Sequence, residues 1–86
     1  MAGYRILFNR SAVDELEKIP RKEIGKVVGR IRGLEENPRP PGSQKLSAPE
    51  RYRIQQGDYR IVYAVDDEKK VVQIFKIGHR SEIYRQ

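Results

Sequence analysis

Five side chains stand out for the chemistry they can do: Arg53, Arg60, His79, Arg80 and Tyr84. Three guanidiniums, an imidazole and a phenol suit one kind of substrate. Arginine forks match phosphate oxygens and keep their charge, so they bind a phosphodiester and stabilise charge that builds on it. Histidine takes and gives protons near neutrality, and the tyrosine adds an aromatic ring. Other catalytic patterns are missing from the sequence. With no cysteine and a single histidine, there is no thiol nucleophile, no disulfide framework and no Cys/His set for a metal. Nor is there a paired-carboxylate site, a Ser/His/Asp pattern or a phosphate-binding glycine loop.

The element that must position the first two arginines is the stretch from Tyr52 to Tyr63, Tyr-Arg-Ile-Gln-Gln-Gly-Asp-Tyr-Arg-Ile-Val-Tyr. Two runs rich in Tyr, Ile and Val flank Gly57-Asp58, and glycine first in a two-residue loop predicts a hairpin with a type II′ turn. That turn pairs Gln56 with Tyr59, Gln55 with Arg60, Ile54 with Ile61, Arg53 with Val62 and Tyr52 with Tyr63. Alternation then puts Tyr52, Ile54, Tyr59, Ile61 and Tyr63 on a core face. Arg53, Gln55, Arg60, Val62 and Ala64 take the other. Arg53 and Arg60 become diagonal neighbours about 7–8 Å apart at the backbone. Two guanidiniums so placed repel unless an anion lies between them. The plain alternative is that both are simply solvated on an outer face.

The rest of the chain supplies the scaffold. Tyr4 to Phe8 reads as a short covered strand. Ser11 is the expected N-cap of a first helix, with Asp14 favourable in its first turn. Ala12, Val13, Leu16 and Ile19 line one face of that helix, and Pro20 ends it and opens the next. A second helix is expected from Lys22 to Glu36, with Ile24, Val27, Val28, Ile31 and Leu34 as its apolar stripe. Gly25, Gly29 and Gly33 form another row, each costing roughly 1 kcal/mol against alanine; close backbone packing of the first helix is the expected reason. Arg21, Lys22, Lys26, Arg30 and Arg32 make a basic surface, either solvated or used for binding. Residues 37–42 are a stiff connection and 43–50 irregular. Val71 to Ile77 is almost continuously apolar and is placed as an internal strand. Gly78 then releases the chain, delivering His79 and Arg80 to a sheet rim, with Tyr84 about a turn further on. The order β-α-α-β-β-β predicts an α+β fold, a helical hairpin on one face of a mainly antiparallel four-stranded sheet.

Size and charge narrow the function. The 86 residues make one domain, 1–86, and with 37% hydrophobic against 35% charged residues its core is thin. A net charge of +6 points to an acidic partner, nucleic acid first. Residues 1–42 and 43–86 each hold nine Lys/Arg and six Asp/Glu, hence +3 apiece. No basic tail exists, so any patch is assembled by folding. No apolar run reaches a membrane span and no signal peptide is evident, so a cytoplasmic protein is expected.

Taken in order, Lys45-Leu46, Tyr52-Arg53-Ile54, Gly57-Asp58-Tyr59-Arg60-Ile61-Val62-Tyr63, an apolar strand, and Gly78-His79-Arg80-Ser81-Glu82-Ile83-Tyr84 resemble the RelE/ParE superfamily of toxins, closest to its RelE branch. The resemblance covers nearly the whole chain and implies a ribosome-dependent endoribonuclease that cuts messenger RNA in the A site without a metal or other cofactor. It implies an acidic antitoxin as partner in a hetero-oligomer, the ribosome and mRNA as further partners, and no membrane. Arg53 and Arg60 match positions holding the scissile phosphate and its developing charge. Arg80 matches the arginine associated with the leaving group, and Tyr84 the tyrosine that stacks on a base. Lys45 and Gln55 fall at RNA-binding positions. Gln55 replaces a lysine to which the family's proton abstraction has been assigned, and it cannot take a proton. His79 is therefore the candidate acid/base group. A ParE-like gyrase poison and a degenerate antitoxin-binding module are the competing readings.

Overall fold

The computed structural model describes residues 3–47 and 49–79. Its elements are β1 (Arg5–Phe8), α1 (Arg10–Glu17), α2 (Arg21–Arg32) with a 3-10 turn (Gly33–Glu35), β2 (Gln44–Lys45), β3 (Arg51–Gln56), β4 (Tyr59–Asp66) and β5 (Val71–His79). The strands form one sheet in the order β1-β5-β4-β3-β2, parallel between β1 and β5 and antiparallel elsewhere. The α+β reading holds. A fifth strand joins the expected four because Gln44 and Lys45, in the stretch read as irregular, pair with Arg53 and Tyr52. Two residues are too few to show a period.

The central hairpin has the expected register, residue for residue. Gly57 has φ +61 while Asp58 stays at negative φ, as a type II′ turn requires. On the helix side, Tyr52 and Tyr63 stack with ring centroids 5.8 Å apart. The Tyr63 hydroxyl, fully buried, donates to the Pro38 carbonyl at 2.7 Å, and burial pushes its pKa up to about 12. Strand β5 lies between β1 and β4, and its pattern is explained by a bulge. Val62 faces Lys76 but Tyr63 faces Ile74, leaving Phe75 as an extra residue. The one-residue slip lets Val72, Ile74 and Ile77 all reach the core despite an odd spacing.

Ile54, Ile61, Tyr63, Val72, Ile74 and Ile77 meet Ala12, Ile19, Val27, Ile31 and Leu34 in a single core between sheet and helices. Three local expectations are corrected. β1, read as covered, is an edge strand on which Arg5, Leu7 and Phe8 are exposed. Asn9, not Ser11, is the N-cap, without a side-chain cap; its carbonyl oxygen Oδ1 instead accepts from Gln73 Nε2 at 2.6 Å. Ser11, inside α1, donates to the Phe75 carbonyl at 3.3 Å, so the helix start is tied to β5 rather than to itself. The glycine row does not pack on α1 either. Gly25, Gly29 and Gly33 are exposed, and a Cβ at each would meet nothing within 4 Å. Nothing in the fold explains these three glycines.

A polar clasp closes one end of the sheet. Arg39, in the connection before β2, reaches Asp67 with both terminal nitrogens, at 3.2 and 2.8 Å. It also binds Glu50 at 3.0 Å and donates through Nε to the Tyr52 hydroxyl at 2.8 Å. The Tyr4 hydroxyl donates to the same Asp67 at 2.7 Å. The Arg39 hydrogen bond, and after it that of Tyr4, holds the Asp67 carboxyl down at about 2.

Candidate functional site

The hairpin turn and β2 build a small cleft on the sheet face opposite the helices. About 140 Å³ in volume, it is lined by Gly42, Gln44, Arg53, Ile54, Gln55 and Arg60. Register explains its contents: Gln44 faces Arg53 across β2 and β3, and Gln55 faces Arg60 across β3 and β4. Each arginine is steered by a neutral amide. Arg53 Nη2 donates to Gln44 Oε1, and Arg60 Nη1 donates to Gln55 Oε1. Gln55 is held in turn, its Nε2 donating to the Gly57 carbonyl at 2.7 Å. Its own main-chain carbonyl accepts from Arg30 Nε at 3.4 Å. Arg30 also reaches the Pro41 carbonyl at 3.5 Å, so α2 braces the loop that ends at Gly42, whose φ of +92 suits glycine.

These contacts define what the cleft can do. An amide oxygen orients a guanidinium without itself neutralising it. Arg60 is also only 9% exposed. Its place on the outer face predicts a side chain outside the core, yet the residue is buried. A partly desolvated cation attracts an anion more strongly than one in open water.

The expected constellation is only partly assembled. Arg53, Gln55 and Arg60 share the cleft. Lys45 pairs with Tyr52, so alternation turns its side chain toward the helix side, away from Gln44 and the cleft. His79 leaves the cleft for the same reason. It pairs with Tyr59, while Arg60 pairs with Gly78, so imidazole and guanidinium leave the sheet on opposite faces. His79 packs edge-on against Tyr59 at 5.8 Å and sits 3.9 Å from Asp58. There it lines a separate groove with Glu15, Lys18, Ile19 and Ile77. Arg80 and Tyr84 lie outside the described residues. Two contributors, Gln44 and Arg30, escaped the sequence analysis. Gln44 gave no signal in a strand of two residues; Arg30 was visible as a helix cation, with no hint of what it touches.

Fold and cleft together define a small α+β domain with helices on one sheet face and a cleft lined by two arginines on the other. The chain belongs to the RelE/ParE toxin superfamily, close to the RelE branch: the family model for the ParE toxin of type II toxin-antitoxin system, parDE, matches residues 6–84. It is 31% identical over 85 residues to Toxin RelG of Mycobacterium tuberculosis (strain ATCC 25618 / H37Rv), covering 96% of this chain and 98% of that protein. It is 30% identical over 88 residues to mRNA interferase toxin RelE of Escherichia coli (strain K12), covering 98% and 93%. Among solved structures, the archaeal RelE–RelB complex from Pyrococcus horikoshii OT3 superposes with a TM-score of 0.82 at 28% identity, over 91% of this chain and 96% of that one. The isolated E. coli RelE toxin gives a TM-score of 0.80 at 30% identity, over 95% and 92%. This chain is a RelE-like toxin of a toxin–antitoxin system.

Proposed function

We propose that this toxin cuts messenger RNA in the ribosomal A site by attack of the substrate's own 2′-hydroxyl on the adjacent phosphate. The attack forms a bond from phosphorus to the 2′-oxygen and breaks that to the 5′-oxygen. A 2′,3′-cyclic phosphate and a 5′-hydroxyl end result. The observation that carries this reading is the meeting of Arg53 and Arg60 in one cleft. The name mRNA interferase borne by its E. coli relative supports it.

Arg53, steered by Gln44, holds the phosphate, and Arg60, steered by Gln55, faces the charge growing on its free oxygens. The two guanidiniums supply the positive charge directly, so the reaction uses no metal ion. Among the described residues, none of the lining side chains accepts a proton: arginine stays charged and amides do not titrate. The acceleration then rests on charge stabilisation and on orientation of the RNA, and the ribosome adds to the latter. The 2′-hydroxyl proton goes to water or to a group outside this lining. Arg80 at the leaving oxygen and Tyr84 stacked on a base complete the reading.

The same reading gives the toxin an acidic antitoxin. RelE–RelB complexes among the solved relatives and the charge of +6 support it. So do Leu7 and Phe8, which expose apolar surface on the edge strand β1.

Primer extension on ribosome-bound message tests the nuclease. Arg60→Ala should cut about 10²–10³ times more slowly, the usual loss for one donor to developing charge, and Arg53→Ala less. Full cleavage by the double variant Arg53→Ala, Arg60→Ala would sink the nuclease reading. It would leave the ParE-like gyrase poison, which the parDE description of the matching family favours, to be tested by DNA supercoiling.

A further inference from the structure

We infer that the open sheet face carries a second nucleotide subsite, formed by Arg51 and Phe75, which takes a base of single-stranded RNA one or two nucleotides from the cut. It rests on the nuclease reading and extends that site along the strand. The face is ordered in rows. Nearest the turn comes Gln55–Arg60–Gly78, then Gln44–Arg53–Val62–Lys76, then Arg51–Ala64–Gln73. Rows lie two strand residues apart, roughly 6.5–7 Å, comparable to the step between phosphates of an extended single strand. Among the described residues, the three rows hold four cations, Arg60, Arg53, Lys76 and Arg51, and no carboxylate; Asp66 comes one row further on. A face that is merely solvated mixes both signs. This one is a cationic track leading out of the cleft.

The track ends on an aromatic ring. Arg51 Cζ sits over the Phe75 ring, 3.9 Å from its centroid, and both side chains are half-buried. Phe75 is the extra residue of the β5 bulge, and bulges serve to re-aim side chains. Here the bulge adds an aromatic to the charged, amide and aliphatic groups described on this face. A cationic track beside an aromatic platform is the general recipe for holding single-stranded nucleic acid. The base reaches the pair over the guanidinium or in its place on the ring. Either mode uses the π-face of the base and not its edges, so the subsite accepts any base.

Fluorescence anisotropy with labelled, uncleavable 2′-O-methyl RNA of three and seven nucleotides tests this. Phe75→Ala and Arg51→Ala should each weaken the seven-mer about tenfold and leave the three-mer unchanged, whereas Phe75→Trp keeps both. Melting temperatures check the fold, and Arg51→Ala decides alone if the Phe75 variants do not fold. Wild-type seven-mer binding by Arg51→Ala and Phe75→Ala, with binding lost in Arg60→Ala, overturns the subsite and leaves the cleft standing. Loss of the seven-mer in Phe75→Ala but in neither length with Arg60→Ala supports the subsite and removes the cleft from RNA binding. Unchanged RNA binding with weakened antitoxin binding assigns the pair to the antitoxin and overturns the inference. Messenger and ribosomal RNA share the chemistry, and programmed ribosomes separate them. If a message truncated at the A-site codon abolishes the Phe75→Ala cleavage defect, the base belongs to the message; if the defect persists, it is ribosomal, and both results support the subsite.

Discussion

Gln55 and Arg60 are cross-strand partners, and the side-chain oxygen of the first accepts a hydrogen bond from the guanidinium of the second. The amide is anchored on its other side by the turn carbonyl of Gly57 at 2.7 Å. An uncharged residue at this position therefore aims a charge it does not cancel. Gln55→Glu should aim Arg60 equally well but neutralise it, and cleavage of ribosome-bound message should fall further than in Gln55→Ala. Equal losses in the two variants, with unchanged melting temperatures, would show that the charge of Arg60 is not what matters.

His79 lies across the sheet from the cleft, beside Tyr59 and Asp58. A proton-transfer role in the cleft requires it to reach the other face. His79→Gln should therefore keep cleavage near the wild-type rate. A loss of the size expected for a general acid or base, about 10²–10⁴-fold, would restore His79 to the mechanism.

Gly29 stands in the middle of α2 with open space where a Cβ would be. Alanine there removes backbone freedom from the unfolded chain and meets no neighbour, so Gly29→Ala should stabilise the fold by about 0.5–1 kcal/mol. The midpoint of urea unfolding reads this directly. A midpoint that stays put or falls contradicts the exposed position of the glycine row.

The Asp67 carboxyl is held near 2 in the folded chain, first by Arg39 and then by Tyr4, against about 3.9 when unfolded. A depressed folded pKa means stabilisation that is present above about pH 4 and lost as pH falls toward 2. Wild type should thus be more stable than Asp67→Asn at pH 6, with the gap closing by about pH 2 and shrinking in 1 M salt, because the clasp faces solvent. Urea midpoints at the two pH values decide it; a gap independent of pH would mean that the ionised carboxylate contributes nothing.

The parts of this protein legible in its sequence are those set by neighbours along the chain. Gly57-Asp58 dictates the turn, the period of two then pairs Gln55 with Arg60 and Arg53 with Val62, and both arginines follow onto one face. The apolar stripe of α2 and the stop at Pro20 are equally local. The rest needed contacts between distant segments. Pairing of Gln44 with Arg53 put a fifth strand and a second amide beside the cleft, and Arg30 crossed from α2 to brace Gln55. The slip at Phe75 carried an aromatic to the open face, and the pairing of Tyr59 with His79 fixed the side on which the histidine leaves the sheet. Turn chemistry and side-chain period act over a few residues and are written there. Which strand a two-residue segment joins, where a bulge falls and which helix cation meets which carbonyl depend on how the whole sheet closes over its core.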